Sequence, residues 1–221
     1  MWILYERIPW FLASIYEKAT RMVVETYYSQ VAEEVVSWQK QGKLLDLGTG
    51  PGYLPIEIAK RSSSIRVTGI DLTRRLIEIA KINALSAGVS ERLDFEVGNA
   101  GRLRFEDCSF DMVISTGMLH MLREPVKVLK ECYRVLKPGG EAWIYDPARV
   151  SSQIDKRKWR ASFTPVERIY YFIYSLLSKI NPLRKYSRKQ AVAMIESAGF
   201  NDYRIQQYKN EIRIKLKKPV A

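Results

Sequence analysis

The chain has 221 residues, 47% of them hydrophobic and 27% charged, which suits one large α/β domain able to bury its own core. Its two cysteines, Cys108 and Cys132, lie far apart and in no C-x-x-C arrangement, which argues against a disulfide framework or a structural zinc site and fits a reducing cytoplasm. The formal net charge is +12, and residues 149–189 carry most of it, with eleven lysines or arginines against two acids. Such a segment favours an anionic partner, whether nucleic acid, membrane surface or acidic substrate.

In chain order, the first stretch, MWILYERIPWFLASIYEKA, is apolar but broken by Glu6, Arg7 and Pro9. It lacks the basic start and continuous apolar run of a signal peptide, so residues 1–41 are expected to form a helical region of a cytoplasmic protein. KLLDLG then reads as a first strand and residues 53–61 as a helix. IRVTGID (65–71) is a second strand, rich in β-branched residues. Thr73 is placed to cap a helix over 74–87 that ends at Gly88. LDFEVG (93–98) and FDMVIST (110–116) are strands three and four. EPVKVLKECYRVL (124–136) is a helix closed by KPGG, and EAWIYD (141–146) is strand five.

Strand–helix alternation predicts right-handed βαβ units and a parallel sheet with helices on both faces. The ending breaks that rhythm. A helix near 187–198 stops at Gly199, and DYRIQQY (202–208) and EIRIKLK (211–217) are separated only by Lys209-Asn210, the signature of an antiparallel hairpin. The expected fold is therefore a Rossmann-like, doubly wound α/β sheet of five parallel strands plus a C-terminal hairpin. It forms a single domain over 1–221, with residues 148–186 inserted as a helical, basic and aromatic lid. Within that insertion VERIYYFIYSLLSKI (166–180), bounded by Pro165 and Pro182, reads as a helix too short to span a bilayer.

The turn after strand one spends glycines at 48, 50 and 52, just past Asp46. Glycine there admits positive φ and lets a ligand approach the backbone at the N-terminus of the next helix. The spacing is neither the dinucleotide G-x-G-x-x-G, since Tyr53 holds the last position, nor a P-loop. Asp71, 19 positions after Gly52, ends strand two, where a carboxylate can accept from both hydroxyls of a ribose. Ribose recognition without a pyrophosphate cradle suggests a nucleoside carrying an amino acid.

D-L-G-T-G-P-G, G-I-D-L, V-G-N-A, F-D-M-V-I-S-T and V-L-K-P-G-G, in that order, resemble the class I S-adenosylmethionine-dependent methyltransferases, and among them the small-molecule branch of ubiquinone and menaquinone methyltransferases. The resemblance covers residues 42–147 and the ending from Tyr186 to Lys218. It implies S-adenosylmethionine as cofactor. Asp46 would lie near the methionine amino group, with Gly48, Thr49 and Gly50 along the methionine part and Gly52 keeping the turn open. Asp71 would hold the ribose, Leu72 would pack on the adenine, Asn99 and Ala100 would meet its edge, and Thr116 would offer its carbonyl to the amino group. Asn99 stands where the family usually has Asp, so it lacks the charge.

His120, the only histidine, follows strand four in T-G-M-L-H-M-L. It is the candidate catalytic residue, as a base or substrate contact, against the plainer reading of a side chain packing its loop. Tyr16 is a candidate for a helix closing over the cofactor. The expected activity is direct in-line methyl transfer to a small-molecule or lipid-like acceptor, with no metal. The alternatives are an RNA methyltransferase that uses the basic segment, and a non-catalytic cofactor-binding scaffold. No RNA-binding module or N-P-P-Y motif supports the RNA reading, which is the weaker. Peripheral contact with an anionic membrane is a further expectation for the insertion. The acceptor's identity, the methylated atom and the oligomeric state are not legible in the sequence.

Overall fold

A computed structural model describes residues 7–21, 24–147, 186–208 and 211–220. The expected lid helix, its membrane contact and most of the basic segment lie outside these residues.

Seven strands form one sheet: β1 (Gly42–Leu47), β2 (Ile65–Asp71), β3 (Leu93–Val97), β4 (Phe110–Thr116), β5 (Leu136–Pro147), β6 (Asp202–Tyr208) and β7 (Glu211–Lys217). Their order is β3-β2-β1-β4-β5-β7-β6. The first five are parallel and the last two antiparallel, so the hairpin adds to the β5 edge through β7. Strand order reverses at β1, between β2 and β4. That reversal opens a crevice at the carboxyl ends of the strands, the usual ligand position in open α/β sheets.

Alternation along the strands feeds two cores. Leu44, Met112, Ile114, Trp143 and Tyr145 face α2 (Ser29–Trp38), α3 (Tyr53–Arg61) and α4 (Arg74–Ser86). Leu45, Leu47, Val113, Ala142 and Ile144 face the other way, onto α5 (Pro125–Val135) and α6 (Arg188–Ser197). A sheet buried on both faces explains the nearly continuous apolar runs of its central strands.

The helix ends follow their local chemistry. Pro125 opens α5, where its missing N–H costs nothing. Ser187 and Gln190 form a reciprocal capping box on α6. Thr73 occupies the N-cap position of α4, but its side chain makes no capping bond there and donates instead to Ile8 O at 3.2 Å.

The K-P-G-G segment differs from expectation. It does not simply stop α5: β5 begins at Leu136 and runs through it as a bulge, with the register jumping from Phe110↔Leu136 to Met112↔Glu141. Gly139 N donates to Lys218 O at 3.0 Å and Lys218 N to Gly140 O at 2.9 Å, which ties the tail after β7 to the start of β5. A Cβ on Gly140 would sit 2.8 Å from the Asp111 carbonyl, so only glycine fits the bulge.

The N-terminal region is more segmented than a plain helix. It contains a 3-10 turn at Trp10–Leu12, α1 (Ala13–Arg21) and a π-helical turn at Val24–Tyr28 that leads into α2. Polar bonds fasten it to the sheet: Tyr27 donates to Glu211 at 2.5 Å, and Glu34 accepts from Arg213 at 3.1 Å and Lys215 at 2.7 Å. The Lys215 ammonium also lies 3.4 Å from the Trp143 ring centroid. No helix among the described residues is long and apolar enough to cross a membrane.

Candidate active site

The glycine turn hangs between two strand ends. Gly48 N and Thr49 N both donate to Ile70 O at 2.9 Å, which pulls the turn toward the end of β2. Gly50 N donates to Asp71 Oδ2 at 3.1 Å and Thr73 N to Oδ1 at 2.8 Å. One carboxylate thus ties the turn to the start of α4, a bracing role that sequence reading did not foresee. Each oxygen keeps a free lone pair for a ligand hydroxyl. Burial raises the Asp71 pKa, opposed by the bonds from Thr73 and Gly50.

Two glycines of the turn do different work. Gly50 has φ +54°, and a Cβ there would meet only Tyr16 Cε1, at 3.6 Å. It leaves a cradle that a side chain would fill. Gly52 has φ +79°, and its Cβ would collide with Ala80 Cβ and Phe95 Cζ, both at 2.9 Å. Its role is close packing of α3 against α4 and β3 rather than ligand approach, which corrects the expectation that it keeps the turn open.

A cleft runs along the strand ends. Gly48, Asp71, Leu72, Asn99, Ala100 and Thr116 line it, together with Ile8, Tyr16, Arg102, Gly117, Met118, Met121 and Lys127. Asp46, Thr49, Gly50 and Gly52, also expected at the cofactor, do not line it. Asp46 and Thr49 lie buried beneath the turn, and Asp46 Oδ1 and Thr49 Oγ1 have no hydrogen-bond partner. Burial drives the Asp46 pKa up, the nearby Asp71 charge adds to the rise, and the Thr49 hydroxyl opposes it, leaving a value of about 7. Two orphaned buried polar atoms beside an open glycine cradle fit a ligand that brings a hydrogen-bonding cation.

His120 does not line the cleft. It sits in a short 3-10 turn, Leu119–Met121, and is only 5% exposed. Its Nδ1 lies 3.1 and 3.2 Å from the two carboxylate oxygens of Asp146, and its backbone N donates to Asp146 Oδ2 at 2.9 Å. The expected placement at the cleft mouth is therefore corrected: the carboxylate at the end of β5 draws the ring inward. Sequence reading missed Asp146, although an acid at a strand's carboxyl end was a usable signal. It also missed Met118, Met121, Arg102 and Ile8, whose convergence depends on tertiary packing.

A doubly wound sheet whose switch point carries a glycine turn, a strand-end acid and one shared cleft defines a nucleoside-binding α/β enzyme. Residues 39–210 match the family model described as a methyltransferase domain. The chain belongs to this methyltransferase family, and its cofactor is S-adenosylmethionine. Among relatives, it is 31% identical over 182 residues to the ubiquinone/menaquinone biosynthesis C-methyltransferase of Brucella abortus strain S19, covering 76% of this chain and 67% of that one. It is also 31% identical over 124 residues to the corresponding enzyme of Geotalea daltonii, where the match spans 56% of this chain and only 53% of the relative. A crystal structure from Methanococcus maripaludis, assigned as an S-adenosyl-L-methionine-dependent methyltransferase, superposes with a TM-score of 0.72 at 21% identity, covering 95% of this chain and 93% of that one. At that identity the likeness shows the fold.

Proposed function

We propose that this chain methylates a small, flat, apolar acceptor of the quinol type, and that the ten residues expected from the sequence hold the cofactor. The observation carrying the acceptor class is the wall beside Thr116 at the end of β4. There Ile8, Tyr16, Met118 and Met121 give the cleft an apolar, polarizable surface. The names of the Brucella and Geotalea relatives support the same class.

S-adenosylmethionine, when bound, supplies a methyl group already activated by its sulfonium. The protein's contribution is positioning and exclusion of water. In this reading Asp71 receives the ribose hydroxyls, while Leu72 and Ala100 flank the base and Asn99 meets its edge. Gly48, Thr49 and Gly50 admit the methionine part, Gly52 holds the turn in place, and Asp46 with the Thr116 carbonyl receives the amino group. Tyr16 and the two methionines hold the acceptor's ring edge toward the methyl. The inward turn of His120 favours its plainer role in packing the loop.

The test is incubation of the purified protein with methyl-labelled S-adenosylmethionine and the reduced form of a short-chain 2-demethylnaphthoquinone. Tandem mass spectrometry should find the label on the ring carbon. An acceptor that stays unlabelled while total RNA from the same cells gains label would replace the quinol reading with the RNA one.

A further inference from the structure

Beyond Asp71, away from the glycine turn, the cleft wall is built by Gly98, Asn99, Ala100 and Arg102. Asn99 Oδ1 accepts from Gly101 N at 2.8 Å. That bond decides the amide's orientation, because a flipped amide would set its NH2 against the backbone N–H. The part of the side chain left unbonded is the NH2, a donor. Arg102 adds a guanidinium, which has five N–H donors and no acceptor, and which has no partner among the described residues.

The loop presenting these donors is braced. Arg102 N donates to Asn99 O at 2.9 Å. Arg134 on α5 donates to Leu103 O at 3.2 Å and Phe105 O at 2.8 Å, and Glu131 accepts from Leu103 N at 2.6 Å.

Adenine offers acceptors at its ring nitrogens and a donor at its 6-amino group. A wall of donors complements the ring nitrogens and gives the amino group nothing to bond. We propose that Asn99 and Arg102 form a donor surface that holds the purine without reading its 6-amino group. This chain therefore binds 6-oxo purine nucleosides about as well as 6-amino ones. The inference rests on the cofactor assignment and deepens it.

The test is calorimetry with S-adenosylhomocysteine and with S-inosylhomocysteine, its 6-oxo counterpart. The wild-type dissociation constants should agree within about fivefold. Asn99→Asp places an acceptor-only carboxylate at the edge and should shift the ratio at least about threefold toward the 6-amino ligand. Arg102→Ala, at an exposed position, should weaken both ligands by similar factors. A wild-type preference for the 6-amino ligand beyond about fivefold, or an Asn99→Asp ratio moved by less than about threefold, would overturn the proposal. Failure of both ligands to bind would instead overturn the cofactor reading beneath it.

Discussion

Asp146 at the end of β5 holds His120 through both its ring and its backbone, with contacts of 2.9 to 3.2 Å inside the protein. The pair joins the loop after β4 to the end of β5, beneath the cleft residues Met118 and Met121. Burial raises the Asp146 pKa while His120 opposes the rise. Replacing Asp146 with Ala would leave a buried backbone donor and a buried ring nitrogen without an acceptor. The expected loss is about 2–4 kcal/mol of stability, read by denaturant unfolding. Because the chain has one histidine, imidazole nitrogen NMR gives a single spin system. It should report the Nδ1–H tautomer in the wild type and lose that preference in the variant.

Asp71 is expected to act twice, on the ligand and on the turn. Asp71→Ala should weaken S-adenosylhomocysteine binding by a few kcal/mol, as charge-assisted bonds are lost. Because Gly50 N and Thr73 N lose their acceptor as well, amide exchange at Gly50 and Thr73 should accelerate even without ligand. Asp71→Asn, which keeps one oxygen, should show a smaller change in both. An unchanged affinity in a folded Asp71→Ala protein would remove this residue from the site.

The two glycines of the turn separate binding from folding. Gly52→Ala meets both a positive φ and 2.9 Å contacts with Ala80 and Phe95, so it should cost about 2–4 kcal/mol and lower the melting temperature. Gly50→Ala has open space around it and should cost only about 1 kcal/mol of stability. Its main effect should be on cofactor affinity, since the added methyl occupies the cradle. Thermal melts and calorimetry on the two variants should therefore diverge, and parallel behaviour would contradict the division.

Asp46 makes cofactor binding depend on pH. Its folded pKa of about 7 lies above the unfolded value of about 3.9. The folded state therefore holds the extra proton between those values, and this group's contribution to stability falls as pH rises from about 4 to about 7. A cationic ligand amino group needs the ionised carboxylate. Affinity should accordingly climb with pH, by up to about tenfold per unit, and level off above about 7. Calorimetry near pH 6 in buffers of different ionisation enthalpy should detect proton release, and Asp46→Asn should abolish it. Asp71, also raised by burial, titrates in the same direction, and Asp46→Asn isolates the first group from it.

The element order was legible from local chemistry. The apolar runs at 65–71 and 110–116, the two-residue separation before 211 and the Ser187 cap all specify short-range structure, and each strand and helix core appears where its pattern placed it. The glycine turn and Asp71 could likewise be read, because positive φ and a strand-end acid leave marks in the residue types themselves. Folding decided what depends on which side chains meet. Gly50 and Gly52 are identical in sequence terms, yet one borders open space and the other the Phe95 ring. The K-P-G-G segment became a bulge because β7 delivers Lys218 to its backbone groups. His120 turned inward because Asp146, 26 residues away in sequence, supplies a buried acceptor. Local pattern encodes backbone conformation, whereas a side chain's partner is set by long-range packing, and the chemistry of the cleft depends on those partners.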